Sequence, residues 1–190
     1  MPKNDRSGWV LAGGASTRMG LDKALLEVNG QPMILLAAAR AAEVCGTVSI
    51  VGDPALYGNL GFPVIPDQFP GAGPLAGIEA ALGATRTDWN LIVACDMPAL
   101  EPAVLERLFS AGAECVLPEY PDGKVEPLCA VYHRRCHAGI VIALEQGIRK
   151  VTDALAHLSL NHAITYISVT SAESFANLNT PEELRRYRDG

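Results

Sequence analysis

The sequence predicts a three-layer α/β/α fold with a mostly parallel sheet, and three features carry this prediction. Apolar runs of strand length recur along the 190 residues, and several are apolar at every position, which is typical of strands buried on both faces. Helix-length segments lie between many of these runs, as in parallel sheets covered by helices. An antiparallel hairpin is expected in the second half, where a Pro-Asp-Gly turn at 121–123 separates two apolar runs.

The elements can be assigned in chain order. The strand-like runs are GWVLAG, TVSIVG, FPVIPD, WNLIVACD, ECVLPE, LCAVYH and ITYISV. The first helix, PMILLAAARAAEVCG, has Pro32 in its first turn and Gly46 at its stop. Further helices are expected at GPLAGIEAALGAT, EPAVLERLFSAG and HAGIVIALEQG. The final segment, NTPEELRRYRDG, reads as a helix that begins with Asn179 or Thr180 as its N-cap.

Composition limits the class of protein. No linker, repeat or low-complexity tract divides the chain, so one domain over residues 1–190 is expected. Fifteen basic against 21 acidic residues give a net charge of −6, which argues against binding of nucleic acid or an anionic membrane through a basic face. No apolar run approaches the roughly 20 residues of a spanning helix. The start, MPKNDRSGW, lacks the apolar stretch of a signal peptide, so a cytoplasmic protein is expected.

The cysteines and histidines offer one weak alternative site. Five cysteines, without a CxxC pair, lie mostly inside apolar runs and are expected to be buried reduced thiols. In HRRCH, His133 and His137 have i,i+4 spacing and could bind zinc together with Cys136. No acidic third ligand or second ligand cluster accompanies them, so a solvated or half-buried helix face is the favoured interpretation.

The segment LAGGASTRMGLDK suits a loop that surrounds an anion. Gly13 and Gly14 follow the first predicted strand and let backbone N–H groups approach a phosphate. Arg18 and Lys23 add two cations within the same loop. Neither GxxxxGK[ST] nor GxGxxG occurs, which argues against a P-loop ATPase and a dinucleotide-binding dehydrogenase. A solvated glycine-rich turn is the alternative.

Two carboxylates also follow predicted strands. Asp96 ends LIVACD, where a Mg²⁺ ion bridging phosphate oxygens would need a hard oxygen ligand. Met97 and Pro98 separate it from the next helix, so a helix N-cap fits poorly. Asp67 leaves another strand, before a helix whose N-terminal amides at Gly73-Pro74 could face an anion or a nucleoside. An ordinary glycine- and proline-rich loop is equally compatible with this last stretch.

Six stretches together resemble a known family. LAGGASTRMGLDKALLEVNGQPMI, VIPD…GPLAGIEAAL, LIVACDMP, EPLCAVY, GIRK and FANLNTPEEL occur in this order, from Gly8 to almost the last residue. This order closely resembles the molybdenum cofactor guanylyltransferases of the MobA type. The resemblance implies a Rossmann-like nucleotidyltransferase sheet and an enzyme that transfers GMP from GTP to the phosphate of molybdopterin, releasing pyrophosphate. It also implies a GTP-binding half over about 1–98 and a pterin-binding half over about 99–190.

The resemblance also implies roles for individual residues. Leu11, Ala12, Gly13 and Gly14 would surround the nucleotide, Arg18 and Lys23 would stabilise phosphate charge, and Asp96 would hold Mg²⁺. Two carboxylates, Asp53 and Asp67, would help to hold the guanosine, with Gly77 in the same GPLAGIEAAL stretch. The pterin half would contribute Glu126, Arg149, Lys150, Asn177 and Asn179.

The resemblance implies partners as well. GTP and molybdopterin would be the substrates, and molybdoenzymes or their chaperones would accept the product from a monomer or weak oligomer. Three alternatives stay open: a cytidylyltransferase acting on the same pterin, a sugar-phosphate nucleotidyltransferase, and a non-catalytic GTP-binding or cofactor-carrier protein. The paired glycines of LAGG resemble the guanylyl type, since the cytidylyl type usually has alanine at the first of these positions.

Overall fold

A seven-stranded sheet forms the middle layer of the protein. The computed structural model describes residues 1–13, 22–69, 71–169 and 175. The strands are β1 (Arg6–Leu11), β2 (Glu27–Val28), β3 (Gln31–Pro32), β4 (Thr47–Val51), β5 (Val64–Ile65), β6 (Trp89–Ala94), β7 (Cys115–Glu119), β8 (Cys129–His133) and β9 (Ile164–Ser168). The order in the sheet is β5-β4-β1-β6-β8-β7-β9, while β2 and β3 form a separate small hairpin.

Helices cover both faces of this sheet. They are α1 (Met33–Val44), α2 (Pro54–Tyr57), α3 (Pro74–Ala84), α4 (Pro102–Ser110), α5 (His137–Glu145) and α6 (Val151–Leu158). One apolar core joins α1 and α4 to the sheet, and a second joins α3, α5 and α6 to the opposite face. The predicted three-layer α/β/α fold is therefore confirmed. None of the helices in the described ranges is both long and apolar enough to cross a membrane.

Strand direction brings the loops of interest to one edge. Strand β8 pairs antiparallel with both β6 and β7, while the other pairs of the main sheet are parallel. The expected hairpin of the second half is thus the β7–β8 pair. Because β8 runs in reverse, its start lies at the edge where the other six strands end. Ligands of open α/β sheets bind beyond this carboxyl edge.

The sequence patterns located most of these elements. Six of the seven apolar runs contain a strand of the main sheet, and GWVLAG overlaps β1, which begins two residues earlier at Arg6. The four internal helix-length segments contain α1, α3, α4 and α5. Helices α2 and α6 and the β2–β3 hairpin were not predicted. The predicted C-terminal helix lies outside the described residues.

Candidate active site

The described residues predicted for phosphate, nucleoside and metal binding collect along the carboxyl edge. Gly13 lies beyond β1, Asp96 beyond β6, Asp53 beyond β4 and Asp67 beyond β5. Glu126 precedes β8, so the reversal of that strand brings it to the same edge. Strand β1 lies between β4 and β6 in the sheet, and the segment expected to bind phosphate therefore leaves the sheet between the Asp53 and Asp96 segments.

Lys23 and Asp96 form an ion pair at this edge. The Nζ atom of Lys23 donates to Oδ2 of Asp96 at 2.5 Å, and the two side chains are 17% and 18% exposed. Lys23 begins a short 3-10 helix that Asp22 caps, because Oδ1 of Asp22 accepts the N–H of Ala24 at 3.0 Å. A mostly buried ammonium needs such a partner. The pairing brings together the two predicted catalytic groups that the structure describes.

The second oxygen of Asp96 has a different environment. Oδ1 is buried and has no hydrogen-bond partner among the described residues. Buried polar atoms are nearly always paired, so an oxygen without a described partner fits a role in binding a ligand. Asp96 is not the cap of the following helix, since the N-cap of α4 is Glu101. Its free oxygen is a hard donor of the kind Mg²⁺ prefers.

Glu126 adds a second carboxylate near Asp96. Its pKa is raised, mainly because burial penalises the charged form and further because Asp96 carries a like charge; a hydrogen bond from the Leu128 backbone opposes the rise. Among the described residues, the carboxylates of Asp96 and Glu126 therefore influence each other at this edge, beside the Lys23 ammonium.

Cys95 precedes Asp96 and does not provide a nucleophile. Burial and the neighbouring Asp96 charge raise the pKa of its thiol to about 12. The thiolate is the reactive form of cysteine, and it is scarcely populated at neutral pH with such a pKa.

The predicted nucleoside residues have distinct surroundings. Asp53 caps α2, with Oδ1 accepting the Ala55 N–H at 2.8 Å. Asp67 has a buried Oδ1 without a partner in the described ranges. Gly77 packs in α3 against β1, where an added Cβ would lie 3.2 Å from the Leu11 side chain. The absence of a side chain at 77 allows helix and strand to approach closely, which is a packing role.

Two of the predicted pterin residues, Arg149 and Lys150, lie at the turn between α5 and α6. Because β8 ends at the opposite edge, α5 runs back toward the carboxyl edge, and the turn to α6 lies there with Arg149 and Lys150 exposed. Nη1 of Arg149 donates to the carbonyls of Leu144 and Ile148 at 2.8 and 3.0 Å. Lys150 is the N-cap residue of α6 without a side-chain cap bond.

A cleft opens at the ends of β7 and β9. Its volume is about 460 Å³, and the Tyr120 ring at its wall packs edge-on against Phe175, with centroids 6.0 Å apart. The described lining residues are Glu119, Tyr120, Pro121, Gly123, Ser168 and Val169. Sequence patterns did not point to this cleft.

Four predicted site residues lie outside the described residues: Gly14, Arg18, Asn177 and Asn179. Sequence reasoning also missed two neighbours of the ion pair, Asp22 and Tyr57. Asp22 stands directly before Lys23, and an aspartate just before a short helix is a capping signal that could have found it. Nothing in the sequence marks Tyr57.

The three candidate zinc ligands of the HRRCH segment each contact a different residue. The His133 ring packs edge-on against Trp89, Cys136 lies against the Glu114 carbonyl, and Nε2 of His137 contacts Oε1 of Glu79 at 2.9 Å. No group of three or more metal-binding side chains suited to an ion occurs in the described part of the chain.

Comparison with known proteins identifies the family and agrees with the fold. Residues 8–159 match the MobA-like NTP transferase domain. The chain belongs to this family. Its members are nucleotidyltransferases, and the loop after β1 and Asp96 after β6 fall inside the matched range.

Relatives of the family cover nearly the whole chain. A Nostoc protein named "Probable molybdenum cofactor guanylyltransferase" is 37% identical over 191 residues, covering 95% of this chain and 89% of that protein. The molybdenum cofactor guanylyltransferase of Vibrio atlanticus is 34% identical, covering 96% and 95%. The crystal structure of molybdopterin-guanine dinucleotide biosynthesis protein A from Archaeoglobus fulgidus has a TM-score of 0.79 and 28% identity, covering 96% and 97%.

Proposed function

We propose that this protein is a molybdenum cofactor guanylyltransferase, which transfers GMP from GTP to the phosphate of molybdopterin and releases pyrophosphate. One observation carries the chemistry: the mostly buried pair of Lys23 and Asp96, with one Asp96 oxygen unpartnered, lies where β1 and β6 end side by side. The names of the relatives support the choice of substrates.

The reaction requires little covalent chemistry from the protein. An oxygen of the pterin phosphate forms a bond to the α-phosphorus of GTP, and the bond from that phosphorus to the oxygen bridging the α- and β-phosphates breaks. The departing pyrophosphate keeps the electron pair. Because attacking and departing groups are both anionic, positioning and charge neutralisation supply most of the catalysis.

Lys23 and Arg18 are the proposed cations for the phosphates. The Lys23 ammonium has three N–H donors, so it can bond a phosphate oxygen while one donor stays on Asp96. Asp96 thereby orients Lys23 as well as offering its second oxygen. The backbone from Leu11 to Gly14 is proposed to face the phosphates, since glycine leaves its amides accessible.

Asp96 is the proposed Mg²⁺ ligand, through its buried and unpartnered Oδ1. Bound Mg²⁺ would supply positive charge against the phosphate oxygens during transfer. Glu126 lies close enough for the Asp96 charge to raise its pKa, and its carboxylate adds to the negative field that favours this cation.

The remaining predicted residues divide between the two substrates. Asp53 and Asp67 are proposed to hold the guanosine, near Gly77 and the helix start at Gly73. The second half, from about residue 99, is proposed to hold molybdopterin within one domain spanning 1–190. Arg149 and Lys150 supply exposed positive charge for its phosphate, and the cleft beside Tyr120 has room for a ring system. The proposed pterin ligands are Glu126, Arg149, Lys150, Asn177 and Asn179.

The first experiment is the thermal shift of the purified protein with GTP, CTP, ATP and UTP, each with and without Mg²⁺. Ligand at about 100 times its dissociation constant adds roughly 2.7 kcal/mol of stability, which is readily measured. A Mg²⁺-enhanced shift with GTP alone is expected. Turnover is then followed as pyrophosphate release and pterin dinucleotide formation with molybdopterin present.

The alternatives give different results in the same experiments. Preference for CTP would identify a cytidylyltransferase, and turnover with a sugar phosphate but not with molybdopterin would identify a sugar-nucleotide enzyme. A GTP-binding carrier would show the thermal shift with no pyrophosphate release. Asp96→Asn separates the last case further, because a carrier without catalysis should keep its function in that variant.

A further inference from the structure

Tyr57 connects the helix after β4 to the segment that carries Lys23. It ends α2 and is 3% exposed, and its phenol donates to Oδ2 of Asp22 at 2.7 Å. The other oxygen of Asp22 accepts the Ala24 N–H and caps the helix that Lys23 begins. Each oxygen of Asp22 thus has its own partner. One partner fixes the local backbone of Lys23, and the other ties that backbone to α2.

Gly52 allows Tyr57 to pack behind the end of β1. A Cβ at position 52 would lie 2.4 Å from the Ala12 carbonyl oxygen and 2.7 Å from the Tyr57 ring. The N–H of Ala12 also donates to the Val51 carbonyl at 2.8 Å. Tyr57 therefore lies close to Ala12, at the end of β1, and also contacts Asp22, just before Lys23.

We infer that Tyr57 is a positioning residue for Lys23, acting through Asp22, and that it couples the α2 segment to the phosphate-binding cation. The kinetic part of this inference rests on the proposed function. Asp53 caps α2 and Tyr57 ends it, so the two residues lie at opposite ends of one four-residue helix. A nucleoside held near Asp53 would therefore also fix the placement of Lys23 against Asp96.

The hydroxyl group of Tyr57 is the part that distinguishes this role from core packing. Its ring belongs to the core shared with α1 and α4, and phenylalanine would keep that packing. Burial, together with the hydrogen bond to Asp22, raises the pKa of the phenol, so the proton stays on oxygen and is donated throughout the neutral range. Loss of the hydroxyl releases Asp22 while the ring stays in place.

Tyr57→Phe tests the inference, with Tyr132→Phe as its matched control. Tyr132 is also fully buried and donates its phenol to one acceptor, the Pro127 carbonyl at 2.9 Å. Tyr57→Phe should lower kcat about tenfold with the KM for GTP changed less than about twofold, while Tyr132→Phe keeps the kcat of the wild type. In a Lys23→Ala background, Tyr57→Phe should lower kcat no further, because both act through one group. Additive losses would overturn the inference.

A second measurement is independent of turnover. Lys23 is acylated with a lysine-selective reagent, and its labelling rate is followed by mass spectrometry against exposed Lys124 as the internal reference. Tyr57→Phe should label Lys23 at least about threefold faster than wild type, since its helix is less restrained, while Tyr132→Phe should leave the rate unchanged. Equal rates in wild type and Tyr57→Phe would overturn the inference. Absence of GMP transfer by the wild type would overturn only the proposed function.

Discussion

Lys23 and Asp96 stand 73 positions apart in the chain, yet the ammonium of one lies 2.5 Å from a carboxylate oxygen of the other. The contact exists because β1 and β6 are neighbours in the sheet and end at the same level, with Leu11 paired to Ala94. Lys23 follows β1 in the chain, and Asp96 follows β6. The ion pair is thus a consequence of strand order, and it assembles a cation and a potential metal ligand at one point.

Asp96→Asn should strongly impair transfer while leaving the fold intact. Replacement keeps the side-chain volume but removes the charge that holds Lys23 and would hold Mg²⁺. We expect kcat to fall by about 10²- to 10³-fold, the loss typical when a preorganised electrostatic contact is removed. Steady-state pyrophosphate release measures this loss.

Asp88→Asn is the control for this substitution. Asp88 forms an exposed ion pair with Arg134 at the opposite edge, so its loss should change neither kcat nor Tm measurably. Retention of wild-type turnover by Asp96→Asn would contradict the assigned role.

Lys23→Gln should weaken both GTP binding and turnover. The variant keeps a hydrogen-bond donor near Asp96 but loses the charge that opposes the triphosphate. We expect kcat/KM for GTP to fall about 100-fold, on the scale of removing one charge-assisted contact to a phosphate. Arg40→Gln removes a cation from an exposed pair with Glu43 and should leave kcat/KM unchanged. An equal, small effect of both substitutions would show that Lys23 acts only through net charge.

Substitutions at Gly52 and Gly13, which lie at the same edge of the sheet, should have different effects: the first should lower stability and the second should weaken GTP binding. An added Cβ at Gly52 would meet the Ala12 carbonyl and the Tyr57 ring, so Gly52→Ala should lower the free energy of unfolding by about 1–3 kcal/mol. Among the described residues nothing lies within 4 Å of a Cβ at Gly13. Gly13→Ala should therefore keep its Tm but reduce the thermal shift with GTP, because the methyl group blocks backbone approach. A large loss of Tm in Gly13→Ala would contradict this assignment.

Hydrophobic patterns predicted the layers and most of the site edge. The run LIVA of β6 is wholly apolar, and the carboxylates Asp53, Asp67 and Asp96 mark the ends of β4, β5 and β6. Helix α2 was missed because four residues give no periodicity. Helix α6 was missed because it begins after Lys150, which provides no side-chain cap.

The order of strands, and the contacts that depend on it, lay beyond sequence patterns. Insertion of β8 between β6 and β7 places Glu126 near Asp96, yet no local signal specifies that order. The bond from Tyr57 to Asp22 spans 35 positions and joins residue types that are ordinary in both segments. Tertiary packing alone determines these partners, whereas Lys23 and Asp96 could be paired by assuming that their strands are neighbours.

Glu126→Gln should stabilise the metal-free protein at neutral pH and impair its function. The folded protein holds the pKa of Glu126 above its ordinary value, so folding favours the protonated form. Stability from this group is fully present below the unfolded pKa and is lost as pH rises through the folded pKa. Glutamine is neutral throughout and avoids that loss. The Tm advantage of the variant should therefore be smallest in acid and grow toward neutral pH.

Thermal melts of Glu126→Gln between acidic and neutral pH, in chelator and without nucleotide, measure this trend. Glu145→Gln is the control, because that carboxylate is exposed at the end of α5 and its replacement should leave the pH profile of Tm unchanged. A Tm difference from wild type that stays constant with pH would contradict the burial argument. Higher Tm together with lower turnover would indicate that this carboxylate is kept for function at a cost in stability. A neutral replacement of the same shape raises Tm only where the folded protein disfavours the charged form.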